Sequence, residues 1–264
     1  MKSTVKNFLT AHQPRLLARL LRWKPGWNRD LFVFLHAVRP GDTVLDLGAN
    51  VGLYTEVFAR LAGPRGHVHA FEPMPDTFAQ LRARFATESA WPQVHLHNAA
   101  VCERSGPVTL MLPGNDSGQA SMVRHQIASW QSNVVRSFAC AGHRLDEFFP
   151  TLRTPAPSFI KLDIEGAELL ALRGARDLLR THQPVLHLEV WSHWLHDFGH
   201  TPADLAAEWR ALGYDRFVAV TDRLTPLPDL EQSWAGIIAS GSHNMLVWSS
   251  RSPWAARVEA IPFA

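Results

Sequence analysis

Several short apolar runs of this sequence end in a carboxylate side chain. Glu72, Asp163 and Glu189 each stand at or next to the end of such a run, and Glu165 follows two positions after Asp163. Runs of this kind are typical of buried parallel strands, whose carboxyl ends meet at the ligand-binding edge of an α/β sheet. There a carboxylate can bind ribose hydroxyls, pair with a cation, or accept a proton. We therefore expect a ligand-binding site lined by carboxylates at one edge of the sheet.

A glycine-containing turn lies before these acids in the chain. The segment 44–52 reads VLDLGANVG, with Asp46 ahead of Gly48 and Gly52 and an amphipathic stretch after them. This pattern predicts a strand, a tight turn and a helix, and glycine lets the backbone approach a ligand closely. The N–H groups at the helix start suit an anionic end of that ligand. The spacing differs from the GxGxxG of dinucleotide sites, and glycines that serve packing alone are the alternative interpretation.

The acidic residues near Gly166 have different possible roles, structural for some and ligand-binding for another. Glu165 and Glu168 would lie at the start of a helix, where the helix dipole favours each by about 0.3–1 kcal/mol. Asp163 stands at the tip of a central strand and has no comparable structural explanation, so we expect it to face the ligand. Glu72, also at a strand tip, has no predicted role in the core.

Histidines offer further groups for chemistry. His193, His196 and His200 only loosely resemble a metal-ligand spacing, because HExxH is absent and Gly199 interrupts a helical pattern. His193 is a candidate acceptor contact or general base.

The irregular part of the sequence between Gly106 and Asp146 contains Ser117, Ser121 and His143, which are candidates for cofactor or acceptor contacts. Ordinary loop polarity explains them equally well. His95 and His97 alternate with apolar residues, which is typical of the solvated face of a strand.

The composition indicates one large α/β domain. The chain has 264 residues, 46% of them hydrophobic, which is enough for one sizeable core. A formal net charge of +2 with interspersed signs argues against a nucleic-acid surface. Cys102 and Cys140 lack metal-ligand spacing, and the sequence contains neither a signal peptide nor an apolar run of about twenty residues. We expect a reduced, cytoplasmic protein without a transmembrane segment.

A basic cluster lies near the start of the chain. Helical spacing puts Arg15, Arg19 and Arg22 on one face, with Lys24 just beyond, and leucines on another face. A docking helix with a solvated basic side is the favoured interpretation. Contact with a membrane or a partner, including a second copy of the chain, is the alternative.

Apolar runs bounded by turn residues predict the order of elements. Strands are expected over 43–47, 67–71, 94–97, 158–163, 185–190, 216–220 and 243–248. Two more strands are expected in an irregular part, over 108–112 and 136–143. A loop is predicted over 225–228, and one helix is expected from Leu169 toward Arg180. The expected segments are a helical extension over 1–40, an α/β domain over 41–250 and a tail over 251–264.

An ordered set of motifs resembles the FkbM family of S-adenosylmethionine-dependent methyltransferases over about residues 40 to 250. The motifs are DLGANVGLYT, FEPMPDTFAQL, NAAV, HRLD, IKLDIEGAELLALRGA and HLEV. The resemblance implies a Rossmann-like class I methyltransferase fold, with a mostly parallel seven-stranded sheet and helices on both faces. Arg144 in HRLD departs from the small hydroxyl residue that is more common there.

The resemblance also assigns roles within the site. It implies that the Asp46–Gly52 loop holds the methionine part of the cofactor and that Glu72 binds the ribose hydroxyls. Asn98 and Ala99 would lie near adenine, and Asp163 near the methionine amino group and the methyl. The full expected cofactor set is Asp46, Gly48, Asn50, Gly52, Tyr54, Thr55, Glu72, Pro73, Asn98, Ala99 and Asp163.

We expect O-methylation of a hydroxyl on a small molecule, sugar or glycan, by analogy with the family. The hydroxyl must lose its proton, either to Asp163, Glu165, His143 or His193, or through a divalent cation such as magnesium held by Asp163 and Glu189. N-methylation of a small amine and non-catalytic binding of the cofactor are the alternatives. No nucleic-acid substrate is expected.

Overall fold

The computed structural model describes residues 9–10, 13–21, 28–87, 90–114, 117–228, 230 and 243–261. Arg22, Lys24 and the side chains of Arg15 and Arg19 lie outside this set, so the predicted basic face is not described. The strands are β1 Thr43–Leu47, β2 His67–Phe71, β3 Val94–His97, β4 Ala99–Val101, β5 Gly106–Pro113, β6 Val135–His143, β7 Pro157–Leu162, β8 Val185–Val190, β9 Arg216–Val220, β10 Leu224–Pro226 and β11 His243–Trp248.

Helices connect most of these strands. They are α1 Pro14–Leu21, α2 Arg29–Ala37, α3 Leu53–Ala62, α4 Pro75–Arg84, α5 Ala128–Ser132, α6 Leu145–Leu152, α7 Glu168–Arg173, α8 Arg176–His182, α9 Ser192–Asp197, α10 Pro202–Ala211 and α11 Ala255–Glu259.

The main sheet has the strand order β10-β9-β11-β8-β7-β1-β2-β3. Strands β3, β2, β1, β7 and β8 are parallel, whereas β11 runs antiparallel to both neighbours. Side chains alternate between the two faces, so Leu45 and Leu47 of β1 pack in one apolar core and Val44 in the other. The α/β fold with a mostly parallel sheet is therefore confirmed.

The strand count and one helix differ from the predictions. The sheet has eight strands rather than seven, because Leu224 is buried in the core and pairs with Val220, which makes a short edge strand of part of the predicted loop. Pro226 is tolerated there because an edge strand has one unpaired side. The helix expected from Leu169 toward Arg180 is two helices, α7 and α8. They separate at Gly174, where a Cβ would lie 2.1 Å from the Cys102 carbonyl oxygen.

The irregular part forms a second, three-stranded sheet with the order β4-β6-β5. Its strand β4 directly follows Asn98 and brings Ala99 to the carboxyl edge of the main sheet. Strands β5 and β6 extend the two predicted strands by one or two residues at their ends.

His95 and His97 differ from the solvated residues that alternation predicted. Both are half-buried, and their rings stack with His69 at centroid distances of 4.6 and 5.4 Å. Burial lowers the pKa of His69 to about 3 and that of His97 to about 4, so both rings are neutral at neutral pH. The face is covered because Phe148 of α6 packs against His97 and Phe71.

The terminal segments pack on the main domain. Leu17 of α1 and Val258 of α11 are buried in the same core as α2, and Arg257 pairs with Asp42 before β1. Leu16 and Leu20, by contrast, are exposed on α1. The boundaries near residues 40 and 250 stay a prediction. Within the described ranges, no helix combines the length and apolar character needed to cross a bilayer.

Candidate active site

A cavity opens at the carboxyl ends of β1, β2 and β7, on the edge where ligands bind in open α/β sheets. The second sheet and the chain after residue 117 close its other side. The predicted site residues among its lining are Gly48, Asn50, Glu72, Pro73, Ala99, Ser121, Asp163 and Glu165.

The turn after β1 is shaped by close backbone contacts. The amides of Gly48 and Ala49 both donate to the Phe71 carbonyl oxygen, at 3.0 and 2.9 Å. Gly48 has a φ of +79°, and a Cβ on it would lie 1.8 Å from the Asp163 carbonyl oxygen. Only glycine fits this position, so the turn and the end of β7 form one continuous wall.

Glu72 has a structural role that its sequence position did not reveal. Its side chain is buried and accepts hydrogen bonds from the backbone amides of Asn50 and Met74, each at 2.9 Å. Burial raises the pKa of Glu72 to about 7, although these two hydrogen bonds favour the ionised form. Asn98 supports the same turn by donating to the carbonyl oxygens of Glu72 and Pro73.

A buried lysine, which the sequence analysis missed, lies between two of the predicted acids. Lys161 Nζ is 3.0 Å from Asp163 Oδ2 and 3.7 Å from Asp46 Oδ1, and the lysine side chain is only 3% exposed. Burial alone would lower the pKa of Lys161, but the carboxylates of Asp163 and Asp46 raise it above its ordinary value. Burial raises the pKa of Asp46, against the effects of Lys161 and of a 2.7 Å hydrogen bond from Thr55 Oγ1.

The turn after β7 carries the second group of acids. Glu165 adopts a left-handed φ of +57° and faces the cavity. Glu168 is buried, accepts from the Ile164 amide at 3.2 Å, and has its pKa raised by burial to about 8. Glu168 thus stabilises the turn, whereas oxygens of Asp163, Glu165 and Glu189 converge within 4.8 Å of one another.

Ser121 and His125 connect the segment after β5 to this turn. Ser121 Oγ donates to the Glu165 carbonyl oxygen at 3.1 Å, and His125 Nε2 lies 3.2 Å from the same oxygen. The other ring nitrogen of His125 is 2.9 Å from Asp197 Oδ2. Ser121 was a predicted candidate, but no sequence signal identified His125.

Other predicted residues lie away from the cavity wall. Asp46, Gly52 and Thr55 do not line this cavity. Tyr54 lines a neighbouring hollow that shares Gly48, Asn50 and Asp163 with the cavity.

The two candidate histidines lie elsewhere on the described structure. His143 stacks on Phe148 at 4.2 Å, and His193 is exposed beside Trp191. Neither lines the cavity. The side chain of Ser117 lies outside the described set.

The strand order and the acidic cavity at the carboxyl edge define a Rossmann-like fold of the class I methyltransferase type. The family described as "Methyltransferase FkbM domain" matches residues 46–216, which is more than half of the chain. The chain therefore belongs to the FkbM methyltransferase family, as its motifs indicated.

Individual relatives match in part. One segment of 46 residues is 56% identical to the 31-O-demethyl-FK506 methyltransferase FkbM of Streptomyces tacrolimicus and covers 17% of each chain. The hexuronic acid methyltransferase AglP of Haloferax volcanii is 26% identical over 149 residues, 56% of each chain. The chain thus aligns with about half, or less, of the length of these two relatives. A crystal structure of methyltransferase FkbM from Methylobacillus flagellatus KT has 17% identity and a TM-score of 0.48, with 92% of this chain and 59% of that chain covered.

Proposed function

We propose that this chain transfers a methyl group from S-adenosylmethionine to a hydroxyl oxygen of a small molecule, sugar or glycan. The observation that carries the proposal is that Glu72, Asp163 and Glu165 line one cavity at the carboxyl edge of the sheet. Two relatives support the class of acceptor, because their names describe methylation of a hexuronic acid and of an O-demethyl compound.

The cavity suits the nucleoside end of this cofactor. A carboxylate has about four acceptor sites, and the amides of Asn50 and Met74 use two of those on Glu72. The remaining sites can accept hydrogen bonds from two ribose hydroxyls. Adenine would lie toward Ala99 on β4, beside the turn that Asn98 supports.

The neighbouring hollow suits the amino-acid end. Gly48, Asn50 and Asp163 line both spaces, so a ligand with a nucleoside and an amino acid could occupy both. The methionine carboxylate would lie over the Gly48–Gly52 turn and the start of α3, where backbone N–H groups favour an anion. The carboxylate of Asp163 would lie near the ammonium and sulfonium groups.

The bound cofactor supplies an electrophilic methyl group, and the protein must orient the acceptor and remove its proton. With the cofactor bound, the acceptor oxygen would form its bond to the methyl carbon as the carbon–sulfur bond breaks, and the hydroxyl proton would pass to a carboxylate of this chain. Asp163 and Glu165 stand at the cavity wall and are our candidates for this base. Holding the acceptor oxygen in line with the methyl group lowers the activation barrier further, by several kcal/mol and at most about 7–11 kcal/mol.

The finer predictions stay open to experiment. These are a divalent cation at Asp163 and Glu189, the roles of His143 and His193, partner docking or self-association through the N-terminal helix, and a cytoplasmic location. Because the acidic cavity would also attract an amine, N-methylation is the second candidate function.

The test is a transfer assay with methyl-labelled S-adenosylmethionine and a panel of hexuronic acids, neutral sugars, small alcohols and amines, read by mass spectrometry. Label on a hydroxyl oxygen supports the proposal, and label on nitrogen moves the chain to the second candidate. Saturable cofactor binding without transfer to any acceptor would indicate a binding protein. Absence of binding in calorimetry would refute the cofactor assignment. Parallel reactions with EDTA or magnesium test the cation.

A further inference from the structure

Three histidines lie together on the face of the sheet formed by β2 and β3. His67 and His69 lie two positions apart on β2. His95 lies on the neighbouring edge strand, β3, and pairs in register with His69. Ring centroids are 4.6 Å apart for His69 and His95 and 5.5 Å for His67 and His95, with interplanar angles of 18° and 19°. The three near-parallel rings therefore point their edges to one side of the sheet.

The ring nitrogens lie close enough together to reach one metal ion. One nitrogen from each ring lies within 4.8 Å of the other two. Two nitrogens bound to tetrahedral zinc at about 2.05 Å are about 3.3 Å apart. His67 Nδ1 and His95 Nε2 are already 3.3 Å apart. To bind one ion, the rings of His67 and His95 have to turn their lone pairs from each other toward the metal, and the third nitrogen has to approach by up to about 1.5 Å. Side-chain rotation can supply both movements.

His69 also has a ring nitrogen without a hydrogen-bond partner in the fold. His69 is 2% exposed, and its Nε2 atom is buried without a hydrogen-bond partner, while Nδ1 lies 3.2 Å from His97 Nε2. A buried polar atom without a partner costs free energy, so its presence calls for an explanation. A bound metal would provide one.

We propose that His67, His69 and His95 form a binding site for a transition-metal ion of the zinc class. Imidazole nitrogen is a preferred ligand of zinc, cobalt, nickel and copper ions, and three protein ligands leave a fourth position for water or another small ligand. None of the three histidines lines the candidate active site. The metal would instead cross-link β2 to the edge strand β3 and hold the sheet edge together.

The experiment uses untagged, EDTA-treated protein titrated with Co²⁺, which reports its coordination through visible absorption, followed by displacement with Zn²⁺. We expect saturation at one Co²⁺ per chain with the absorption of a four- or five-coordinate ion, and Zn²⁺ should raise the melting temperature. The His95→Gln variant should bind at least about 100-fold more weakly, since even loss of a supporting residue costs 10–100-fold.

Controls separate this site from other metal-binding groups. His67→Gln, at the half-buried start of β2, must also lose the signal, which guards against a folding defect specific to His95→Gln. His196→Gln removes an exposed histidine, and Asp163→Asn removes a carboxylate of the acidic cavity, so both variants must keep the signal. Absence of the absorption in wild type, its persistence in both His67→Gln and His95→Gln, or its loss in Asp163→Asn would overturn the proposal.

Discussion

Ionisation of Glu72 should make cofactor affinity depend on pH. Burial raises the pKa of this carboxyl to about 7 in the free protein, and ribose hydroxyls bind best to the ionised form. The ionised fraction of such a group falls from about nine-tenths at pH 8 to about one-tenth at pH 6. We therefore expect the affinity for S-adenosylmethionine to fall about tenfold between these pH values, which corresponds to about 1.4 kcal/mol.

The free protein should respond to pH with the opposite sign. The folded-state pKa of Glu72 lies above the 4.5 of the unfolded chain, so its contribution to stability is fully present below about pH 4.5 and is lost as pH rises through about 7. Glu168, with its pKa raised to about 8, adds a contribution of the same sign. Deprotonation thus destabilises the unliganded fold while it strengthens ribose binding.

The assay is isothermal titration from pH 6 to pH 8 with S-adenosylmethionine and with 5′-methylthioadenosine, which has the ribose but no titrating amino acid. The Glu72→Gln variant should bind about 10–150-fold more weakly at pH 8, because hydrogen bonds to a charged group contribute about 1.5–3 kcal/mol, and its affinity should not vary with pH. A flat profile in wild type, or an equal slope in the variant, would refute this reasoning. Circular dichroism must accompany the titration, because the new amide N–H₂ would face one of the backbone amides that Glu72 now accepts from.

Three further substitutions test the candidate site. Lys161→Met should lower the free energy of unfolding in urea by about 3–5 kcal/mol, because it leaves a buried carboxylate unpaired, whereas Arg60→Met at a surface pair should cost less than about 1 kcal/mol. Gly48→Ala should abolish cofactor binding and destabilise the fold by more than the control Gly41→Ala. The Cβ of the control would meet no atom within 4 Å, so only its positive φ costs free energy, about 1–2 kcal/mol. Asp163→Asn should reduce turnover by about 100-fold or more and leave the melting temperature close to that of the wild type. A loss of folded protein large enough to account for the lost turnover would make the residue structural.

The main strands could be predicted because their physical origin is local. Six of the predicted strands, including β1 and β8, have the observed bounds, since a strand buried on both faces is an apolar run between turn residues. Gly48 was predictable for the same reason, because the turn follows its strand directly. By contrast, the close approach of Gly174, between α7 and α8, to Cys102 joins parts of the chain that are distant in the sequence.

The roles of polar residues were harder to predict because they depend on contacts across the fold. Glu72 was expected to have no core role, but the amide of Asn50, 22 positions earlier, donates to it. His69 is buried because His95 and His97 of the neighbouring strand stack on its ring. Lys161 did leave a signal, since a lysine inside an apolar run must find a buried partner or disrupt the strand.

Stability alone does not explain why a lysine occupies the centre of β7. A buried ion pair is often no more stabilising than apolar residues of the same size, since both charges lose their hydration. Lys161, however, contacts the fully buried carboxylate of Asp46 and, at 3.0 Å, the carboxylate of Asp163 in the cavity wall. A fixed cation at that distance holds Asp163 in one orientation and limits the negative charge that accumulates beside Glu165 and Glu189. We infer that Lys161 positions the proposed base, which explains why a costly buried charge is present at this point of the sheet.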